Sequence, residues 1–332
     1  MRFSEIVGNR EGAEHLKKQV QGGHPFHAYI FDGAEGIGKR RLAYTFAQAL
    51  VCREAVNGEP CGKCDACKKA ESGNHGDIHY ITSDGSSVKD EQLEAMQEVF
   101  ASKPFDSDKS ILIIDKADTM TTRAQNRMLK TLEEPGESTI IIMLTERISE
   151  MLPTIVSRSL VIKMKPANME EIKAFLVNES GADEEAVEIA AAYSYGCPGK
   201  GLRLLKDEEF RRRREKSIEC SCLLLEKKTM SEFVQLINEM ELQKEDALEL
   251  LDMMSFWFRD LMLISQGVGS EYIMNRDYID RLAEQCKKTG IKKICKAIEK
   301  IEEGKYDIMM NLSTIRALKN IYLEINLRKR KK

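Results

Sequence analysis

Short apolar runs alternate with helix-periodic stretches through the first half of this chain. Ala28–Asp32 (AYIFD) stops at a glycine-rich turn, and Ile78–Thr82 (IHYIT) and Leu160–Met164 (LVIKM) are short runs of the same kind. Ser110–Asp115 (SILIID) and Thr139–Thr145 (TIIIMLT) are continuous and β-branched, the pattern of strands covered on both faces. Between the runs, Lys39–Val51, Asp90–Ala101 and Arg123–Leu132 have helical spacing. Strands interleaved with helices predict an α/β module on a parallel, doubly wound sheet.

Beyond Pro166 the strand pattern stops. Met169–Val177 and Glu184–Tyr193 read as helices around a turn at Gly181, and Gly196-Cys197-Pro198-Gly199 is a break before another helix. After Lys206 the chain reads as helical to its end, with Ile308, Leu312, Ile315, Leu318, Tyr322 and Ile325 on one face of a last helix. Three domains are expected: α/β at 1–166, a small helical domain at 167–206 and an all-α domain at 207–332. The most apolar long stretch, Leu248–Ser265, carries Glu249, Asp252, Arg259 and Asp260. A membrane span needs about 20 mostly apolar residues, so a buried amphipathic helix is expected instead.

Composition narrows the classes. A net charge of −3 argues against a general nucleic-acid coat but leaves room for a local basic face. Arg211–Arg214 and Arg328–Lys332 are such runs, though charge runs at helix ends and termini are usually only solvated. Met1–Gly8 is mixed and charged rather than a secretory signal, so a cytoplasmic protein is expected.

Two segments carry chemistry. Gly33-x4-Gly38-Lys39, with Gly36 between, follows a strand run and opens a helix. This is P-loop spacing: glycines let backbone N–H groups turn onto phosphates, and the lysine reaches the outer ones. The motif's next residue should be a Ser or Thr whose hydroxyl holds Mg²⁺. Here it is Arg40, which has no lone pair to give. Asp115 ends a buried run, where an aspartate commonly supports the metal, and it is followed by Lys116.

The second segment is Cys52-x8-Cys61-x2-Cys64-x2-Cys67, four of the nine cysteines, with Asn57, Gly58, Pro60 and Gly62 to turn the chain. Such thiolates can converge on one structural Zn²⁺. An iron–sulfur cluster and unliganded thiols are the alternatives. His75 and His79 lie nearby, but four sulfurs already complete a tetrahedral site.

Taken together these segments resemble the bacterial DNA polymerase III clamp-loader family, within the AAA+ ATPases. Phe3–Asn9 is similar to the family's opening segment near the adenine site, and Thr121–Pro135 (TTRAQNRMLKTLEEP) to its most distinctive signature. Thr145 falls at the sensor 1 position. Pro153–Ser159 resembles the Ser-Arg-Cys motif with Ser159 for Cys, and Gly196–Lys200 resembles sensor 2 with Lys200 for arginine. The motif likeness covers residues 1–206. The four-cysteine insertion is also a family feature.

The resemblance implies an AAA+ module, a helical lid and a helical collar. It implies nucleotide contacts at Val7, Gly8, Gly33, Gly36, Gly38, Lys39, Arg40, Asp115 and Thr145, with ATP binding itself left open. Hydrolysing relatives place a glutamate where Lys116 stands, so Arg40 and Lys116 favour the non-hydrolysing delta-prime branch over the gamma or tau motors. The implied partners are gamma/tau and delta subunits and, through their ring, the sliding clamp and primer–template DNA of the polymerase holoenzyme. Arg158 matches the arginine that reaches a neighbouring subunit's ATP site. The competing expectations are an ATP-hydrolysing motor subunit or other remodelling ATPase, and a zinc-dependent nucleic-acid binder.

Overall fold

The computed structural model describes residues 1–83, 87–100, 103–226 and 230–326. Ala101 and the basic run Arg328–Lys332 lie outside the described residues. Two compact units are present, Met1–Asp183 with Ser194–Arg203, and Glu184–Tyr193 with Leu204–Lys332.

The first unit runs α1 (Arg10–Gly22), β1 (Ala28–Asp32), α2 (Lys39–Val51), α3 (Asp65–Glu71), β2 (Ile78–Ile81), α4 (Asp90–Phe100), β3 (Ser110–Ile114), α5 (Thr122–Glu133), β4 (Thr139–Thr145), α6 (Pro153–Val156), β5 (Leu160–Lys163) and α7 (Met169–Ser180). Its five strands form one sheet in the order β2-β3-β4-β1-β5, and every pairing is parallel. The expected α/β module on a parallel sheet is therefore present.

Alternate strand residues point to opposite faces, and both faces are covered. Tyr29, Phe31, Ile113, Ile142 and Leu144 pack with Leu16, Leu42 and Phe46 on one side. Ile30, Leu112, Ile114, Ile141 and Met143 pack with Met128, Leu132 and Ile155 on the other. That is why these strands read as unbroken apolar runs. Parallel strands end together, so the loops after β1, β3 and β4 share one edge; Asp32 pairs with Thr145 there.

The second unit is all helical: α8 (Glu184–Tyr193), the end of α9 (Pro198–Lys206), α10 (Glu208–Leu225), α11 (Met230–Glu239), α12 (Lys244–Ser265), α13 (Ile279–Lys288), α14 (Ile291–Met309) and α15 (Thr314–Asn326). Its core surrounds α12, where Leu251, Met254, Trp257 and Phe258 are fully buried, and the Trp257 indole N–H donates to Gln285 (2.7 Å). Among the described residues no helix is long and apolar enough to cross a membrane.

One expectation needs correction. Ile308–Ile325 is not one helix. α14 ends at Met309, Asn311 takes a left-handed φ of 63°, and α15 starts at Thr314. The two helices meet closely, a Cβ at Gly304 falling 2.5 Å from Ile321 Cδ1. The apolar face is continuous in sequence because both helices bury it in the same core.

Candidate functional site

β1 delivers the chain to the P-loop. The Gly33 amide donates to the Thr145 carbonyl (3.1 Å), pinning the loop to the end of β4. Gly36 and Gly38 adopt φ of 75° and 105°, which L side chains rarely tolerate. At Gly36 there is also no room: a Cβ would lie 2.7 Å from the Lys200 nitrogen, because the Gly199 amide donates to the Gly36 carbonyl (2.8 Å).

Lys39 opens α2 and is buried. Its ammonium donates to the carbonyls of Gly33 (2.6 Å) and Ala34 (3.0 Å) and lies 3.8 Å from Glu146. Burial lowers its pKa, partly opposed by Glu146 and Asp115. The adjoining cleft has a volume of about 400 Å³ and is lined by Val7, the Glu35–Arg41 segment, Asp115, Lys116, Glu146, Phe175 and Arg203, among others. That is within the size range of a small-ligand site, roughly 300–1,000 Å³.

Asp115 follows β3 and faces this cleft. Its Oδ2 accepts from Arg40 Nη2 and from the Tyr80 hydroxyl, both at 2.5 Å, and its Oδ1 accepts from the Lys116 amide at 3.0 Å. Burial would raise its pKa, but the Arg40 guanidinium and the Tyr80 hydroxyl hold it below the usual carboxylate range. The carboxylate that would support a metal is thus engaged by three donors, and the residue that should ligate the metal is one of them.

Not every expected contact residue lines the cleft. Val7, Gly36, Gly38, Lys39, Arg40 and Asp115 do. Gly8 lines a neighbouring groove with Phe3 and Phe175. At Gly33 a Cβ would lie 3.1 Å from Met164 Cβ. Thr145 is fully buried and accepts the Arg147 amide (3.1 Å), and it is Glu146 that reaches the cleft. Lys200 puts its ammonium 4.3 Å from the Tyr195 ring centroid. One turn later Arg203 lines the cleft and pairs with Glu35 (2.6 Å). Arg203 went unread because a lone arginine among Leu202, Leu204 and Leu205 carries no local signal.

The cysteine segment closes on itself. All four Sγ atoms lie within 4.8 Å of one another, with Cys52 and Cys64 4.0 Å apart and Cys61 and Cys67 3.9 Å apart. A tetrahedral zinc with Zn–S near 2.3 Å needs sulfurs about 3.8 Å apart, so the residues fit. The Cys61 and Cys64 amides donate to the preceding thiol at 3.3 Å. Backbone N–H groups of Lys63 and Cys64 push Cys61 down to about 6, whereas burial pushes Cys52 and Cys67 up. A bound cation would resolve that conflict by stabilising all four thiolates. The 13 residues of α2 separate Lys39 from this cluster by about 20 Å at 1.5 Å per residue, which fits a structural role. His75 lies outside the sulfur set; its Nδ1 accepts the Asp77 amide (3.2 Å).

Arg158 sits in the turn between α6 and the edge strand β5. It precedes β5 and so lies at the end of the parallel sheet opposite the P-loop. It pairs with Glu133 (2.9 Å) and donates to the Thr154 carbonyl (3.1 Å).

The basic run Arg211–Arg214 divides. Arg211 and Arg212 are exposed, Arg213 pairs with Asp207 and Glu249, and Arg214 is buried on Asp277. Half of the run is internal structure.

Comparison with known proteins gives a consistent picture. The family described as "DNA polymerase III, delta subunit" matches residues 8–168, and that described as "DNA polymerase III, delta subunit, C terminal" matches residues 211–313. The likeness therefore extends past the motifs, into the helical second unit. The chain is 29% identical to the DNA polymerase III subunit delta' of Bacillus subtilis over 90% of each protein. It is also 29% identical to the subunit tau of that organism, over 84% of this chain and about half (53%) of tau. A solved gamma subunit-related protein of Thermotoga maritima superposes at a TM-score of 0.46 with 17% identity, over 96% of this chain and 99% of that one; that likeness is too loose to carry an argument.

Proposed function

The chain belongs to the DNA polymerase III delta-subunit family of clamp-loader proteins, and from that premise we propose that it is a delta-prime-like subunit that regulates its neighbours instead of hydrolysing ATP itself. In this reading it joins gamma/tau and delta subunits in a cytoplasmic ring that loads the sliding clamp on primer–template DNA. Residues 1–166 form the AAA+ domain, 167–206 the lid and 207–332 the collar. Arg158 serves a neighbouring ATP site.

The observation that carries this reading is the Arg40–Asp115 pair (2.5 Å) in the chain's own cleft, with Lys116 beside it. Hydrolysis needs a cation to neutralise phosphate charge and an acid to orient water. Here the metal's carboxylate is capped and the acid's position holds a cation. The purified chain is expected to turn over no ATP above background, with or without DNA, in a steady-state assay. Robust turnover abolished by Lys39→Ala would instead identify a motor subunit, the reading that the tau similarity keeps in play. Co-purification with motor and delta subunits, followed by a clamp-loading assay, tests the subunit assignment.

We further propose that Cys52, Cys61, Cys64 and Cys67 hold one structural Zn²⁺. Elemental analysis of chain purified without chelator is expected to find about one zinc per chain. Cys64→Ser should lower both metal content and melting temperature, because metal binding is coupled to local folding. Iron in place of zinc, or no metal, would overturn the assignment.

A further inference from the structure

The P-loop cleft has a phosphate cradle and, at its metal position, a guanidinium. Both oxygens of Asp115 are occupied by donors from Arg40, Tyr80 and Lys116. Mg²⁺ demands near-octahedral oxygen ligands at about 2.0–2.1 Å. On Oδ2 it would have to displace Arg40 or Tyr80, on Oδ1 it would meet the Arg40 charge held on the same carboxylate, and position 40 offers no hydroxyl in exchange.

Arg40 is also braced where it stands. Its guanidinium lies 5.2 Å from the Tyr80 ring centroid, and Tyr80 stacks on Tyr44 with centroids 5.8 Å apart. Five basic side chains and three acidic ones line the cleft, an excess of two positive charges without any metal.

We propose that this cleft binds a nucleoside polyphosphate without a divalent cation, the Arg40 guanidinium on Asp115 standing where Mg²⁺ would and turning its remaining N–H groups to the phosphate oxygens. Arginine suits the substitution: it stays charged and offers five donors in a planar fork. Magnesium then adds nothing to binding, because the cleft has no ligand for the ion that the nucleotide would carry in. The inference rests on the P-loop reading of this cleft and is independent of the subunit's role in loading.

The test is calorimetric titration of the zinc-loaded full chain with ATP, in buffer freed of magnesium and again in excess Mg²⁺. The wild-type chain is expected to bind as tightly, or more tightly, without Mg²⁺. Arg40→Thr, which restores the usual hydroxyl, should weaken magnesium-free binding by about tenfold, the worth of a charge-assisted hydrogen bond, and Mg²⁺ should restore it. Wild-type binding that requires Mg²⁺, or no ATP binding in either buffer, overturns the proposal. So does an Arg40→Thr variant that binds equally well without the metal. Zinc content and melting temperature report whether the variant folds; if it does not, the wild-type comparison decides alone. A chain that binds no ATP yet supports clamp loading sinks this proposal only. One that binds ATP without Mg²⁺ but supports no loading sinks only the subunit assignment.

Discussion

A reconstituted complex carrying Arg158→Ala is expected to assemble normally and keep its zinc, but to lose part of its DNA-stimulated ATPase and more of its clamp loading. The geometry explains why Arg158 is available. It precedes edge strand β5, so its own P-loop, beyond the far ends of the strands, is out of reach. Its partner Glu133 is about half exposed, and surface pairs of that kind contribute only about 0.2–1 kcal/mol. A neighbouring phosphate can displace such a partner. An arginine that reaches a γ-phosphate in trans is worth about 10³–10⁵ in rate at that site. The other motor sites would keep their own arginines, so total ATPase falls partially while loading, which needs the sites in concert, falls further. Arg158→Lys should not restore activity, because an ammonium lacks the planar fork. Wild-type ATPase and loading rates from the alanine complex would end the in-trans reading.

Asp277→Ala should lower the melting temperature by on the order of 10 °C, the largest effect we expect from a residue outside the cleft. Asp277 takes a bidentate pair from Arg214 at 2.7 and 2.6 Å. Arg214 is 5% exposed, and its other contacts are Asn275 Oδ1 (2.9 Å), the Tyr193 hydroxyl (3.3 Å) and the rings of Tyr193 and Tyr278. Asn275 in turn donates to the fully buried Asp260. Removing one partner strands a buried guanidinium, which costs about 3–5 kcal/mol. At about 2–4 °C per kcal/mol for a unit of this size, a drop near 10 °C follows. Circular dichroism melts check it, and a shift under about 2 °C would mean that Asn275 and solvent compensate the charge.

Much of the site was legible before the fold was known. The P-loop, the departures at Arg40 and Lys116 and the cysteine spacing all lie within short windows. The runs of β1, β3 and β4 were legible because both of their faces are buried. α1 was missed, since its buried residues Ala13 and Leu16 are too few to stand out against its polar ones. The break at Asn311 was hidden because the helices on either side share one core.

The sequence by itself determined the alternation of the five strands with α2, α4 and α5, the phosphate loop and the convergence of Cys52, Cys61, Cys64 and Cys67. Each of these depends on backbone preference and side-chain spacing over a few residues. Only the tertiary structure decided what the long charged side chains do. Arg40 meets Asp115 across 75 residues, Arg203 rather than Lys200 lines the cleft, and Arg214 goes inside while Arg211 stays in water. A flexible cation is placed by whichever acid or ring the packed elements bring within reach, and by whether that partner repays its desolvation.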